Sequence, residues 1–110
     1  WAYNNRKIIM AIYTNITSSP TETTLITRGS NVSGNIKKIS IANFSDHADG
    51  AVVNLFLEDA SDVDWYIMKN VAIPKGVTLV LDDNLAFDSS LYSLKIYNTG
   101  TSPALTIIIK

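Results

Sequence analysis

Residues 70–87, NVAIPKGVTLVLDDNLAF, form two apolar runs joined at Pro74-Lys75-Gly76. Val71 and Ile73 precede the break, and Val77, Leu79 and Leu81 alternate after it. A spacing of two places side chains on one face of an extended chain, whereas a helix needs three or four. Proline presets φ for the second position of a turn and glycine suits the fourth, so residues 73–76 read as a type I turn. The stretch is scaffold: strand, turn, strand.

The same alternation recurs along the chain. Strands are expected at residues 7–14, 23–28, 36–44, 51–58, 64–73, 77–81, 91–97 and 104–109. Turn formers separate them, among them Ser18-Ser19-Pro20, Gly29-Ser30-Asn31, Asp82-Asp83-Asn84 and the segments 45–50 and 98–103. No segment keeps a helical period, and β-branched residues dominate the apolar runs. The expected fold is all-β: an antiparallel β-sandwich of about eight strands, jelly-roll or immunoglobulin-like. Its expected core is Ile39, Ile41, Val53, Leu55, Leu57, Trp65, Ile67, Val71, Ile73, Val77, Leu79, Leu81, Leu94, Ile96, Leu105, Ile107 and Ile109.

At 110 residues the chain reads as one domain, residues 10–110, able to bury roughly 60–70% of its unfolded surface. Hydrophobic residues make up 46%, too many for a disordered chain. No run approaches the ~18 apolar residues of a membrane-spanning helix, so no membrane partner is expected. A formal charge of −1 without a basic stripe argues against nucleic acid. With no cysteine, disulfides and thiolate metal sites are impossible. Residues 1–9 are expected to be a translated leader or an arm, since Met10 is a plausible start. Asn5-Arg6-Lys7 before it can be encoded by a purine run resembling a bacterial ribosome-binding site.

Candidate chemistry is sparse. His47 stands between Asp46 and Asp49 beside Ser45, yet turns favour Asp and Ser because their side chains bond nearby amides. One histidine also falls short of a zinc site. Glu58, Asp59, Asp62 and Asp64 form an acidic turn without the glycine and terminal glutamate of an EF-hand loop, and Asp82-Asp83-Asn84 forms a second. Solvated turn carboxylates are the expected reading of both. Trp65, Tyr66, Tyr92 and Tyr97 would make a stacking platform for a sugar or for bases if they shared a face, although aromatics on strands more often pack in cross-strand pairs. Lys37-Lys38 reads as a solvated strand start. Asn15-Ile16-Thr17, Asn31-Val32-Ser33 and Asn43-Phe44-Ser45 match the glycosylation pattern, but a chain so rich in Asn, Ser and Thr yields such matches by chance. No catalytic residue, cofactor or metal ligand is assigned.

From Met10 onward the chain resembles small virion structural proteins of tailed bacteriophages. The phrases that carry the resemblance are MAIYTNITSSPTETTLIT, IKKISIANFS, AVVNLFLED, DWYIMKNVAIPKGVTLVLDDNLAF and SLKIYNTGTSPALTIIIK. Such proteins often have a Gly-Asp turn before Ser-Leu-Lys, where this chain has Ser89-Ser90-Leu91-Tyr92. The resemblance implies a non-enzymatic particle subunit located in the virion. Capsid decoration (cement) is the leading role, and a neck, tail or fibre component or a carbohydrate-binding β-sandwich module is the alternative. The implied partners are phage capsid or tail proteins and further copies of the chain.

Parity indicates where such partners would touch. If Leu105, Ile107 and Ile109 face inward, Ile108 faces outward, and the same rule turns Phe44, Val52, Phe56 and Val80 outward. A terminal strand ending in three isoleucines is an aggregation hazard if left as an open edge. Phe44, Val52, Phe56, Val80 and Ile108 are therefore the expected interface residues.

Overall fold

The computed structural model describes residues 11–30, 35–46, 50–101 and 103–110. The expected arm at residues 1–9, His47, Asp49 and the Asn31 sequon lie outside the described residues. Ten strands are present among them: β1 (Ile12–Ile16), β2 (Thr21–Ile26), β3 (Asn35–Ile36), β4 (Ile39–Asn43), β5 (Ala51–Glu58), β6 (Asp64–Ile73), β7 (Thr78–Leu81), β8 (Leu85–Ala86), β9 (Ser93–Thr99) and β10 (Leu105–Ile109). The described residues contain no helix. β5 and β6 have the bounds expected from the alternation. The expected strand at 36–44 is broken at Lys37-Lys38 into β3 and β4, and β8 was not anticipated.

Pairing is nested. β1 pairs with β10, β2 with β9, β3 with β8, β4 with β7 and β5 with β6, all antiparallel. The chain is thus one long hairpin, closed at the turn between β5 and β6 and rolled into two four-stranded sheets. Sheet I has the order β1-β10-β4-β7 and sheet II the order β2-β9-β5-β6. A hairpin wound in this way is the jelly-roll arrangement, two packed sheets between which the chain passes repeatedly. The architecture is an all-β antiparallel sandwich, as the pattern implied.

The core lies between the inward rows. In sheet I these are Ile12–Ile109–Ile39–Leu81 and Thr14–Ile107–Ile41–Leu79. In sheet II they include Thr23–Ile96–Leu55–Met68. Fifteen of the seventeen expected core residues are buried or pack against this core. Trp65 and Val77 do not. Trp65 ends the inward row at edge strand β6, is 55% exposed, and its indole N–H donates to the Asp59 carboxylate at 3.4 Å. Val77 precedes β7 and is held by the turn rather than the sheet: its N–H donates to the Pro74 carbonyl at 3.2 Å. Ile16, Leu25, Ile26, Ile36 and Ala51 complete the core.

That last bond also moves the expected turn by one residue. It spans Pro74 to Val77, with Gly76 third at φ 75°, as a type II turn requires. The turn does not fold β7 back on β6. It carries the chain from sheet II to sheet I, and the buried Asn43 clasps it. The Asn43 side-chain amide donates to the Ile73 carbonyl (2.8 Å), its backbone N–H to Val77 (2.9 Å), and its carbonyl accepts from Gly76 N–H (2.7 Å). At 1% exposure with its amide so engaged, the Asn43 sequon is closed to a glycan in the folded chain. The terminal strand needs a second correction. β10 is central in sheet I, paired on both sides by β1 and β4, so it offers no open edge.

Candidate functional site

The two sheets turn different surfaces outward. On sheet I, cross-strand partners line up as Tyr13–Ile108–Ser40–Val80 and, next to it, Asn15–Thr106–Ala42–Thr78. Phe44 continues the same face, its N–H bonded to Ala104 at 2.8 Å. Tyr13 (69% exposed), Phe44 and Val80 stand open. Thr106 Oγ1 donates to Asn15 Oδ1 at 2.7 Å within the second row. Neither row contains a charged residue. Charge begins only at the rim, where Lys38 and Lys110 pair through their backbones.

On sheet II the outward rows include Thr24–Lys95–Phe56–Tyr66 and Ser93–Glu58–Asp64, with Glu22–Tyr97–Asn54 alongside. Lys95 Nζ lies 2.6 Å from Glu58 Oε1 and 3.3 Å from Glu22 Oε2. The hydrogen bond from Lys95 holds the Glu58 carboxyl below its ordinary range, and the same bond raises the Lys95 ammonium. Partial desolvation, then the neighbouring Glu58, pushes the Asp64 carboxyl up. The Phe56 and Tyr66 rings meet at 5.5 Å and 51°, an aromatic pair in tilted geometry.

Between these groups lies a groove of about 330 Å³. β6 shapes one wall. Its register slips twice against β5, between Val53 and Leu55 and between Leu55 and Phe56, each slip being a bulge that places consecutive residues on one side. Ile67 and Met68 both pack on the core, and Lys69 and Asn70 both line the groove. Asn70 takes a left-handed φ of 56°, which asparagine tolerates. Its N–H donates to Asn54 Oδ1 at 2.9 Å, while Asn54 Nδ2 donates to the Tyr97 carbonyl at 3.4 Å. Lys69 Nζ sits 4.7 Å from the centre of the Tyr66 ring.

The five expected interface residues therefore divide. Phe44, Val80 and Ile108 share the outer face of sheet I. Val52 and Phe56 lie on the opposite face of the molecule. Phe56 is turned outward as parity requires yet is only 3% exposed, so it does not stand open to a partner. Of the proposed stacking aromatics, Tyr66 and Tyr97 share the groove, Trp65 lies at the end of β6, and Tyr92 belongs to the turn before β9. Tyr13, Asn54, Lys69 and Asn70 escaped the sequence reading. An asparagine inside the apolar strand 51–58 was the available signal for the groove.

Within the acidic turn, Asp59 is spent on the local backbone, while Glu58 is held by Lys95. Asp59 Oδ1 accepts from Ser61 N–H (2.9 Å) and Val63 N–H (3.1 Å), and these bonds hold its carboxyl below the ordinary range. Among the described residues no group of three or more His, Cys, Asp or Glu is placed to hold a metal ion. A second cleft of about 210 Å³ lies between Ile39, Leu81 and Ile67. No family model matches the chain, and no curated protein or solved structure is significantly similar to it.

Proposed function

We propose that the chain is a structural, non-catalytic subunit of a tailed-phage virion, a capsid decoration protein that binds neighbouring subunits through the outer face of sheet I. The particle comes from the sequence resemblance. The binding face rests on one observation: two complete cross-strand rows without a charge, bearing the exposed side chains of Tyr13 and Val80 with Phe44 beside them. Interface centres are depleted in charge and enriched in aromatics. Jelly rolls recur in viral capsid and lectin domains, an analogy of fold that leaves function to the site.

Incorporation into purified virions tests the reading. Tyr13→Asp and Val80→Asp should leave the domain folded and reduce its incorporation at least about tenfold, the equivalent of about 1.4 kcal/mol. Thr24→Asp, on the outer face of sheet II, should be incorporated as the wild type is. Normal incorporation of both sheet I variants would overturn the assignment.

A further inference from the structure

We infer that the groove on sheet II is a binding site for a neutral saccharide. It lies on the face opposite the proposed assembly surface and is independent of that reading. Its volume of about 330 Å³ falls at the lower end of the range for small-molecule sites. Tyr66 and Tyr97 are both exposed along it. Lys69 already covers one side of Tyr66 at 4.7 Å, whereas Tyr97 has no ring partner among the described residues. Tyr97 is therefore the open platform. The C–H face of a pyranose ring is apolar and slightly positive, which suits the negative face of an aromatic ring.

The polar rim selects among ligands. Glu22 and Asp64 accept hydrogen bonds, the Lys69 ammonium donates them, and the Asn70 side-chain amide does both. Sugar hydroxyls are donors and acceptors at once, so they match a rim of mixed sense. A phosphate or sulfate would face the two carboxylates. A quaternary ammonium would meet the Lys69 ammonium, which lines the same groove. What remains is an uncharged polyol with an apolar face.

The site is also built in advance. Asn54 spends its amide on Asn70 N–H and the Tyr97 carbonyl, fixing the backbone on both walls. Such preorganisation lowers the entropy lost on binding.

The test uses the full chain and a panel of neutral disaccharides (maltose, cellobiose, lactose and chitobiose), each titrated at millimolar concentration while amide resonances are followed by NMR. At least one should shift the resonances of Tyr97, Asn70 and Lys69 and spare those of Tyr13 and Val80. Tyr97→Ala should weaken that binding at least about tenfold, equivalent to about 1.4 kcal/mol. Tyr97→Phe, which keeps the ring, should retain it, separating loss of the platform from loss of the fold. Three results would each overturn the proposal: no shift in the groove with any disaccharide, undiminished binding by a folded Tyr97→Ala variant, or preference for a sulfated disaccharide over its neutral parent.

Discussion

The outer faces of the two sheets are built on the same antiparallel pairing and carry opposite contents. Sheet I presents uncharged rows, and its three strand pairs run without a register shift. Sheet II presents the Glu22–Lys95–Glu58 cluster and an aromatic pair, and both of its edge strands are bulged: β2 once near Leu25, β6 twice. Bulges and charges are the usual means of stopping an edge from pairing with another chain. Sheet II is protected against further strand pairing and shaped into a groove. Sheet I carries neither device on its two outer rows.

An aspartate placed outward on each sheet probes that contrast most strongly. Phe56→Asp would put a charge where only 3% of the side chain is exposed, beneath Tyr66 and beside Lys95. It should cost roughly 4 kcal/mol or more by urea denaturation, since it deletes a buried aromatic side chain and desolvates a carboxylate. Val80→Asp, on an edge strand and exposed, should cost under about 1 kcal/mol. Similar costs at the two positions would mean that Phe56 is not covered and that the faces differ less than their contents suggest.

The crossover between the sheets carries the next effect. Asn43→Ala takes the side-chain amide away from the buried Ile73 carbonyl, to which it donates at 2.8 Å. It should lower stability by about 1–3 kcal/mol, the cost of unsatisfied buried polar groups. A loss near zero would show that the turn after β6 holds without its clasp.

The smallest effect is electrostatic and belongs to sheet II alone. The folded-state pKa of Glu58 lies below its ordinary 4.5 because of Lys95, so its stabilisation is complete above that value and is lost as pH falls through the folded pKa. Asp64 acts the other way: its pKa is raised, so protonating it favours the folded state as the solution is acidified, offsetting part of the loss. Lys95, raised by the same partner, contributes below its unfolded value and loses that contribution as pH rises through its folded pKa. Lys95→Met should flatten the decline in stability below pH 4.5. Val80→Asp should leave the part due to Glu58 in place. An unchanged acid limb in Lys95→Met would remove the ion pair from the account.

Alternation and side-chain type determined much of this molecule by themselves. The bounds of β5 and β6 follow from them, as do the inward sets Ile39/Ile41, Leu94/Ile96 and Leu105/Ile107/Ile109, because period-two burial is a local property of an extended chain. Even the doubly bulged β6 yielded Ile67, Val71 and Ile73, since two one-residue slips restore parity; Met68, Lys69 and Asn70, between the slips, were misplaced or missed. Pairing was decided only by the tertiary structure. Nothing local to residues 105–109 says that their partners lie at 12–16 and 39–43, so whether this strand is interior or at an edge was not legible. For the same reason five outward apolar residues read as one surface, when the roll of the hairpin sends Phe44, Val80 and Ile108 to one face and Val52 and Phe56 to the other. The groove is of the same kind: Glu22, Asn54, Tyr66 and Tyr97 come from four strands, and only long-range closure of the nested hairpin brings them together.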